Sequence, residues 1–271
     1  MGEQDDSVAT AAPREMTGSP EIARYDDVSA ANLERRLHIP RAAVYAETGS
    51  TMDIAHVLAA AGAPAGTVVL ADRQTAGRGR SGRTWLSAAG AGIWLTLIER
   101  PDDGRAIEVL ALRVGLRTAG ILDRYAGRPV GLKWPNDLYL DGRKLAGVLI
   151  EARWQDGAPT WVAIGLGVNL HAPVSMTGAA AGLPAGTRRL DVLADLVPQL
   201  RAAAAARDSL TPAELAQFAE RDIARGRFCR SPGTGRVEGV AATGAIVISH
   251  EGVAREYRSG SLVLTEELEG Q

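Results

Sequence analysis

Gln74-Thr-Ala-Gly-Arg-Gly-Arg-Ser-Gly-Arg-Thr-Trp85 packs three glycines (Gly77, Gly79, Gly82) and three arginines (Arg78, Arg80, Arg83) into seven residues. Glycine permits close backbone approaches that a side chain would block. Guanidinium forks suit phosphate and carboxylate oxygens. The stretch therefore reads as a loop that closes over a small, oxygen-rich anion. What flanks it decides the fold. Gly66–Ala71 enters it as a strand and Gly92–Ile98 leaves it as another. The glycines match the spelling G-x-G-x-x-G, with Asp102 further on. A dinucleotide fingerprint, however, needs a helix directly after the glycines and an acid at the tip of the next strand. The strand–loop–strand setting rejects that reading. No P-loop signature occurs.

Working outward, Ala43–Glu47 is a strand that runs through Thr48-Gly49 into a helix from Met52 to Ala61, and Ser50 or Thr51 stands where an N-cap belongs. A polar strand-to-helix turn is also where small ligands are held, so both roles stay open for these hydroxyls. Asp27–Leu37 shows a short helical pattern, and residues 1–24 read as a disordered leader. On the other side, Arg105–Tyr125 is a helix with apolar residues near i, i+3, i+4 spacing, stopped by Gly127-Arg-Pro. A β region follows: Val130–Asp137, then a hairpin over Leu138–Leu145 with an Asp-Gly turn, then strands over Leu145–Ala152 and Trp161–Leu170. Gly165 and Gly167 inside an apolar strand signal a close approach to the backbone. Lys133, Asn136, Asp137, Lys144 and Asn169 cluster polar groups on these adjacent strands. Residues 173–187 read as a mobile surface loop, and Leu190–Arg207 and Pro212–Arg225 as two helices without a catalytic role. From Phe228 on, four short glycine-separated strands predict a small antiparallel barrel or sandwich packed on the main body.

Composition narrows the function classes. Net charge is −2, so no global basic field draws the chain to nucleic acid or anionic membrane. The single cysteine, Cys229, rules out an internal disulfide, and the four histidines show no metal-ligand spacing. No apolar run reaches membrane-spanning length and no export signal is read, which leads to the expectation of a cytoplasmic location. Of 30 basic residues only Lys133 and Lys144 are lysine. Two survivors so close together suggest positions that need a compact ammonium, which a planar guanidinium cannot imitate.

Taken in order, Glu47-Thr-Gly-Ser-Thr51, Gln74–Trp85, Leu132-Lys-Trp-Pro-Asn-Asp137, Arg143-Lys-Leu-Ala-Gly147 and Ile164-Gly-Leu-Gly-Val-Asn169 resemble the motifs of biotin–protein ligases. The resemblance covers roughly residues 43–265. It implies an α+β fold akin to class II aminoacyl-tRNA synthetases, a mixed sheet with helices, over residues 25–226. It also implies a small SH3-like barrel over residues 227–271 and the monofunctional class without an N-terminal DNA-binding domain. The implied activity joins biotin and ATP into biotinyl-5′-AMP and transfers biotin to a lysine of a biotin carboxyl carrier protein. Mg²⁺ is implied as cofactor, together with no specific DNA binding and a monomer or weak homodimer. Lys133 and Arg80 are the expected catalytic cations. Ser50, Thr51, Gln74, Arg78, Gly79, Arg80 and Lys133 are expected around biotin, with room for its apolar part beside Gly165–Gly167. Arg78, Arg80, Arg83, Trp85, Asn136, Lys144 and Asn169 are expected around the adenylate, and no side-chain metal cage. One departure is Met52, where the family often has Asn; Met52 is left out of the polar ligand set. A lipoate–protein ligase is the nearest rival and a nucleic-acid-binding protein a remote one.

Overall fold

A computed structural model describes residues 21–22, 24–102, 104–176 and 178–265. Most of the expected leader lies outside these residues. Of its last four, Ile22 donates its N–H to Val44 O at 2.6 Å, and Arg24 belongs to a short strand.

The chain opens with strands β1 (Arg24–Tyr25) and β2 (Val28–Ser29) and helix α1 (Ala30–Leu37). The helix starts three residues later than the pattern predicts, because Ser29 takes the N-cap, its side chain accepting from Asn32 N. Then come β3 (Ala42–Thr48), α2 (Thr51–Ala60), β4 (Thr67–Gln74), β5 (Gly92–Glu99) and α3 (Ile107–Ala126). Gly127 at φ 69° closes α3 in the left-handed conformation that glycine tolerates. Next are β6 (Gly131–Lys133), β7 (Asp137–Leu140), β8 (Arg143–Gln155), β9 (Ala158–Asn169), α4 (Arg189–Ala205) and α5 (Pro212–Arg221). Thr211 and Glu214 form a reciprocal capping box on α5.

Seven strands form one mixed sheet in the order β3-β4-β5-β9-β8-β7-β6. Only β3 and β4 are parallel, and α2 connects them; the other pairs are antiparallel. Strand alternation gives the sheet two faces. Val44, Val68, Leu70, Ile93, Leu97, Ile164 and Leu166 join α1, α3 and α4 in the large core. Ala43, Val69 and Ile98 meet Ile54, Ala55 and Ala59 of α2 in a smaller one. Helix α2 packs chiefly on β4, β5 and β9. Beyond it the second face is open, and the candidate site lies there, lined by residues of β5, β7, β8 and β9.

Strands β10 (Phe228–Ser231), β11 (Gly235–Val240), β12 (Ile246–His250), β13 (Val253–Tyr257) and β14 (Val263–Leu264) form a second, antiparallel sheet. Its Cys229, Val237, Ile246, Ile248 and Leu264 are continuous with the large core. Trp134 Nε1 donates to Gly244 O at 2.9 Å across the junction.

Candidate active site

The Gln74–Trp85 stretch folds back on itself over the open face. Trp85 N donates to Gly77 O at 2.8 Å and Gly79 N to Arg83 O at 2.7 Å. Beneath it is a cavity of about 290 Å³. Eleven of the twelve sequence-predicted residues line it: Ser50, Thr51, Gln74, Arg78, Gly79, Arg80, Arg83, Trp85, Asn136, Lys144 and Asn169. The exception is Lys133, which is buried, with its ammonium 5.6 Å from the centre of the Tyr139 ring. Tyr139 lines the cavity; Lys133 does not.

The inner end is a directional hydrogen-bond chain. Thr51 N and Thr51 Oγ1 donate to Gln74 Oε1 at 2.8 and 3.1 Å, and Gln74 Nε2 donates to Ser87 Oγ at 2.8 Å. Because the Thr51 hydroxyl proton is used there, Thr96 Oγ1, 2.9 Å away, donates to Thr51 Oγ1. Ser50 Oγ accepts from Met52 N at 3.3 Å, so Ser50 is the N-cap and also a wall residue.

The room left by Gly165 and Gly167 is occupied by the protein itself. A Cβ on Gly165 would lie 2.7 Å from Met52 Cε, and one on Gly167 would lie 2.5 Å from Trp85 Cε2 and Nε1. The close approach inferred from the glycines is present, but its partners are Met52 and Trp85 rather than an open slot. Trp85 also meets Trp94 edge-on at 6.5 Å, and the Lys144 ammonium sits 5.1 Å from its ring centroid.

Charge gathers at the outer end. Lys144 Nζ pairs with Asp137 Oδ1 at 2.8 Å. Burial draws the Arg80 guanidinium down from its ordinary value, opposed by Asp137 and reinforced by Arg83. Arg83 reaches outward and donates to Ser261 Oγ at 2.7 Å. Arg78 contacts two carboxylates, Glu151 at 3.1 Å and Asp53 at 3.3 Å. Asn136 Nδ2 donates to Val148 O at 2.6 Å, which makes it a brace between strands. Asn169 Nδ2 donates to Lys144 O at 3.4 Å, and its Oδ1 is buried with no hydrogen-bond partner among the described residues.

The 173–187 segment is not a detached surface loop. Lys144 N donates to Ala179 O at 3.1 Å, Ala181 N to Lys144 O at 2.8 Å and Leu183 N to Asn169 O at 3.3 Å. Pro173, Met176 and Ala180 form a cavity wall. Sequence reasoning also missed Thr96 and Tyr139 on the wall and the carboxylates that hold Arg78. A lone polar residue inside the otherwise apolar run of β5 was the available signal for Thr96.

A mixed sheet with a cation-rimmed, polar-ended cavity under a glycine–arginine hairpin offers a site suited to a small molecule with an anionic end. Residues 45–169 match the biotin/lipoate A/B protein ligase family. It is 41% identical over 123 residues to the bifunctional ligase/repressor BirA of Bacillus subtilis, covering 45% of this chain and 38% of that protein. It is 40% identical over 147 residues to the biotin–[acetyl-CoA-carboxylase] ligase of Mycobacterium tuberculosis, covering 52% and 53% respectively. The chain thus matches from about two fifths to half the length of these relatives. The biotin protein ligase from Aquifex aeolicus in complex with biotin and ATP superposes with a TM-score of 0.70 at 25% identity, covering 83% of this chain and 99% of that one.

Proposed function

We propose that the chain is a biotin–protein ligase that activates biotin with ATP and passes it to a lysine of a biotin carboxyl carrier protein in the cytoplasm. The observation that carries this reading is the single cavity with two chemically distinct ends. Thr51, Gln74 and Thr96 offer neutral donors and acceptors suited to a ureido ring. Arg80 and Lys144 offer cations at the other end, beside Asp137.

In the first step a biotin carboxylate oxygen attacks the α-phosphorus of ATP; a P–O bond forms, the bond to the bridging oxygen breaks, and pyrophosphate leaves with the electron pair. In the second, the carrier lysine's neutral ε-amine attacks the acyl carbon, AMP departs and the amine's proton is lost. Two anions must meet in the first step, so fixed cations have to offset their repulsion. Lys144 is assigned this role ahead of the expected Lys133, since its side chain lines the cavity and that of Lys133 does not. Arg80 lines the same cavity. Trp85 together with Pro173, Met176 and Ala180 excludes water that would hydrolyse the acyl phosphate.

Mg²⁺ would enter with the phosphates, keeping most of its waters and few protein ligands. The Asp137 carboxylate and the unpartnered Asn169 Oδ1 fit such an ion, which would offset phosphate charge.

The deciding assay is ATP–pyrophosphate exchange. Exchange that depends on biotin supports the proposal. Exchange supported equally by lipoate, or by no acid, refutes it.

A further inference from the structure

A chain of side chains outside the cavity ends on the glycine–arginine hairpin. Trp161 Nε1 on β9 donates to His56 Nδ1 on α2 at 3.0 Å. An indole N–H can only donate, so in the neutral imidazole the proton sits on Nε2. His56 Nε2 lies 2.8 Å from Glu151 Oε2 on β8 and donates to it. Glu151 accepts from Arg78 Nη2 at 3.1 Å, and Asp53, one turn before His56, adds a second carboxylate at 3.3 Å. Glu151 is held below its ordinary value, chiefly by the His56 hydrogen bond and against the opposing effect of burial. Arg78 is thus tied to α2 and β8, which do not belong to the hairpin.

We propose that Glu151, aimed by His56, is a positioning residue for Arg78 and thereby holds the Gly77–Thr84 turn over the cavity. The inference rests on the ligase reading for its kinetic part only. Two arguments support it. Arg78's charge is already met by two carboxylates, which leaves it less available to a substrate anion than Arg80. The Arg78 backbone also sits inside the hairpin: Gly77 O and Gly79 N on either side of it make the hairpin's bonds to Trp85 and Arg83. A side chain anchored between those bonds fixes the turn, whereas one at its tip would not.

The test uses the full chain and two readouts: biotin KM and kcat in pyrophosphate exchange, and the rate of tryptic cleavage after Arg80 and Arg83. A partly exposed charge-assisted contact predicts that Glu151→Gln raises biotin KM about fivefold with kcat within about twofold. Cleavage rises by a similar factor, while the melting temperature stays native. His56→Leu reproduces this phenotype, and His56→Gln, whose amide N–H can still donate to Glu151, stays near native. In an Arg78→Ala background Glu151→Gln adds nothing. Native cleavage in Glu151→Gln overturns the proposal, as does faster cleavage with native KM, or an effect that persists without Arg78. If Glu151→Gln fails to fold, His56→Leu decides by the same criteria. If the native chain lacks biotin-dependent exchange, the ligase reading falls, and the cleavage rates alone uphold or overturn the positioning role.

Discussion

Replacing Gly167 by alanine tests the site with one methyl group. Its Cβ would lie 2.5 Å from Trp85 Cε2 and Nε1 and 2.8 Å from Cζ2. Ordinary carbon contacts begin near 3.5 Å, so the indole has to retreat by ~1 Å. It cannot retreat freely: Trp94 abuts it edge-on and Lys144 stands by its ring. The displacement is therefore directed into the cavity, against the cation that the proposed reaction needs. Misplacement of about 1 Å in a reacting site costs on the order of 10²-fold in rate, and overpacking costs roughly 1–3 kcal/mol in stability. Gly147 supplies the internal control. A Cβ there would meet Trp85 Cζ3 at 3.0 Å and Cη2 at 3.5 Å. The indole needs to give about half as far, and Gly147→Ala is expected to lose roughly tenfold. Biotin-dependent exchange gives kcat/KM for both variants, and thermal melting reports the stability cost. In a Trp85→Ala background the Gly167→Ala penalty should largely vanish. The reasoning is refuted if Gly167→Ala exchanges at the native rate, or if Gly147→Ala is the more damaged of the two.

The two lysines should separate: Lys144→Ala is expected to lower exchange by roughly 10²–10³-fold, as loss of a cation facing the developing charge does, while Lys133→Arg loses far less. The reverse order would restore Lys133 to the catalytic role. Among the loop arginines, Arg80→Gln should cut kcat/KM well beyond Arg83→Gln, whose guanidinium is committed to Ser261; equal losses in the same assay would refute the distinction. Stability should respond to Asp222, whose carboxyl burial pushes up to about 6 and whose Oδ2 is buried without a partner among the described residues. Between its unfolded value of 3.8 and its folded value, the folded chain holds a proton that the unfolded chain has released. This contribution is present below about pH 4 and is lost as pH rises through about 6, an effect of about 3 kcal/mol. Asp222→Asn should therefore flatten the fall in melting temperature between pH 4 and 6; an unchanged slope refutes it.

Much of this was legible because it is periodic or local. Short, near-continuous apolar runs in Gly66–Ala71, Gly92–Ile98 and Trp161–Leu170 mark the strands, and Asp141-Gly142 marks the hairpin turn, at φ 51° and 72°. Glycines interrupting an apolar strand announced the close approach that Met52 and Trp85 make. What could not be read was which lysine faces the cavity. Lys144 and Gly147 are three residues apart, so strict alternation puts them on opposite faces. A register shift between Leu138 and Tyr139 brings Asp137 opposite Gly147 and Tyr139 opposite Lys144, so both pairs share the open face. Such an irregularity turns a side chain without leaving a residue signature. The partners of Arg78 were hidden for another reason: Asp53 and Glu151 lie 25 and 73 positions away, and only the fold brings them together.

The arginine-rich stretch that looked like one clamp divides into three tasks. Arg83 ties the hairpin to the C-terminal sheet through Ser261, and Arg78 ties it to α2 and β8 through Asp53 and Glu151. Both contacts are partly exposed, so each alone contributes little. Placed on either side of Arg80, however, they limit where its backbone can go. A partly desolvated guanidinium held between two tethers needs little reorganisation when an anion arrives, which is how fixed charge lowers a barrier. The glycines between the arginines serve the same end: Gly77 and Gly79 carry the backbone bonds that close the hairpin, and a Cβ on Gly77 would lie 2.4 Å from Trp85 O. On the proposed function the motif thus encodes a preorganised cation through its neighbours, with Arg80 as the arginine left to meet the anion.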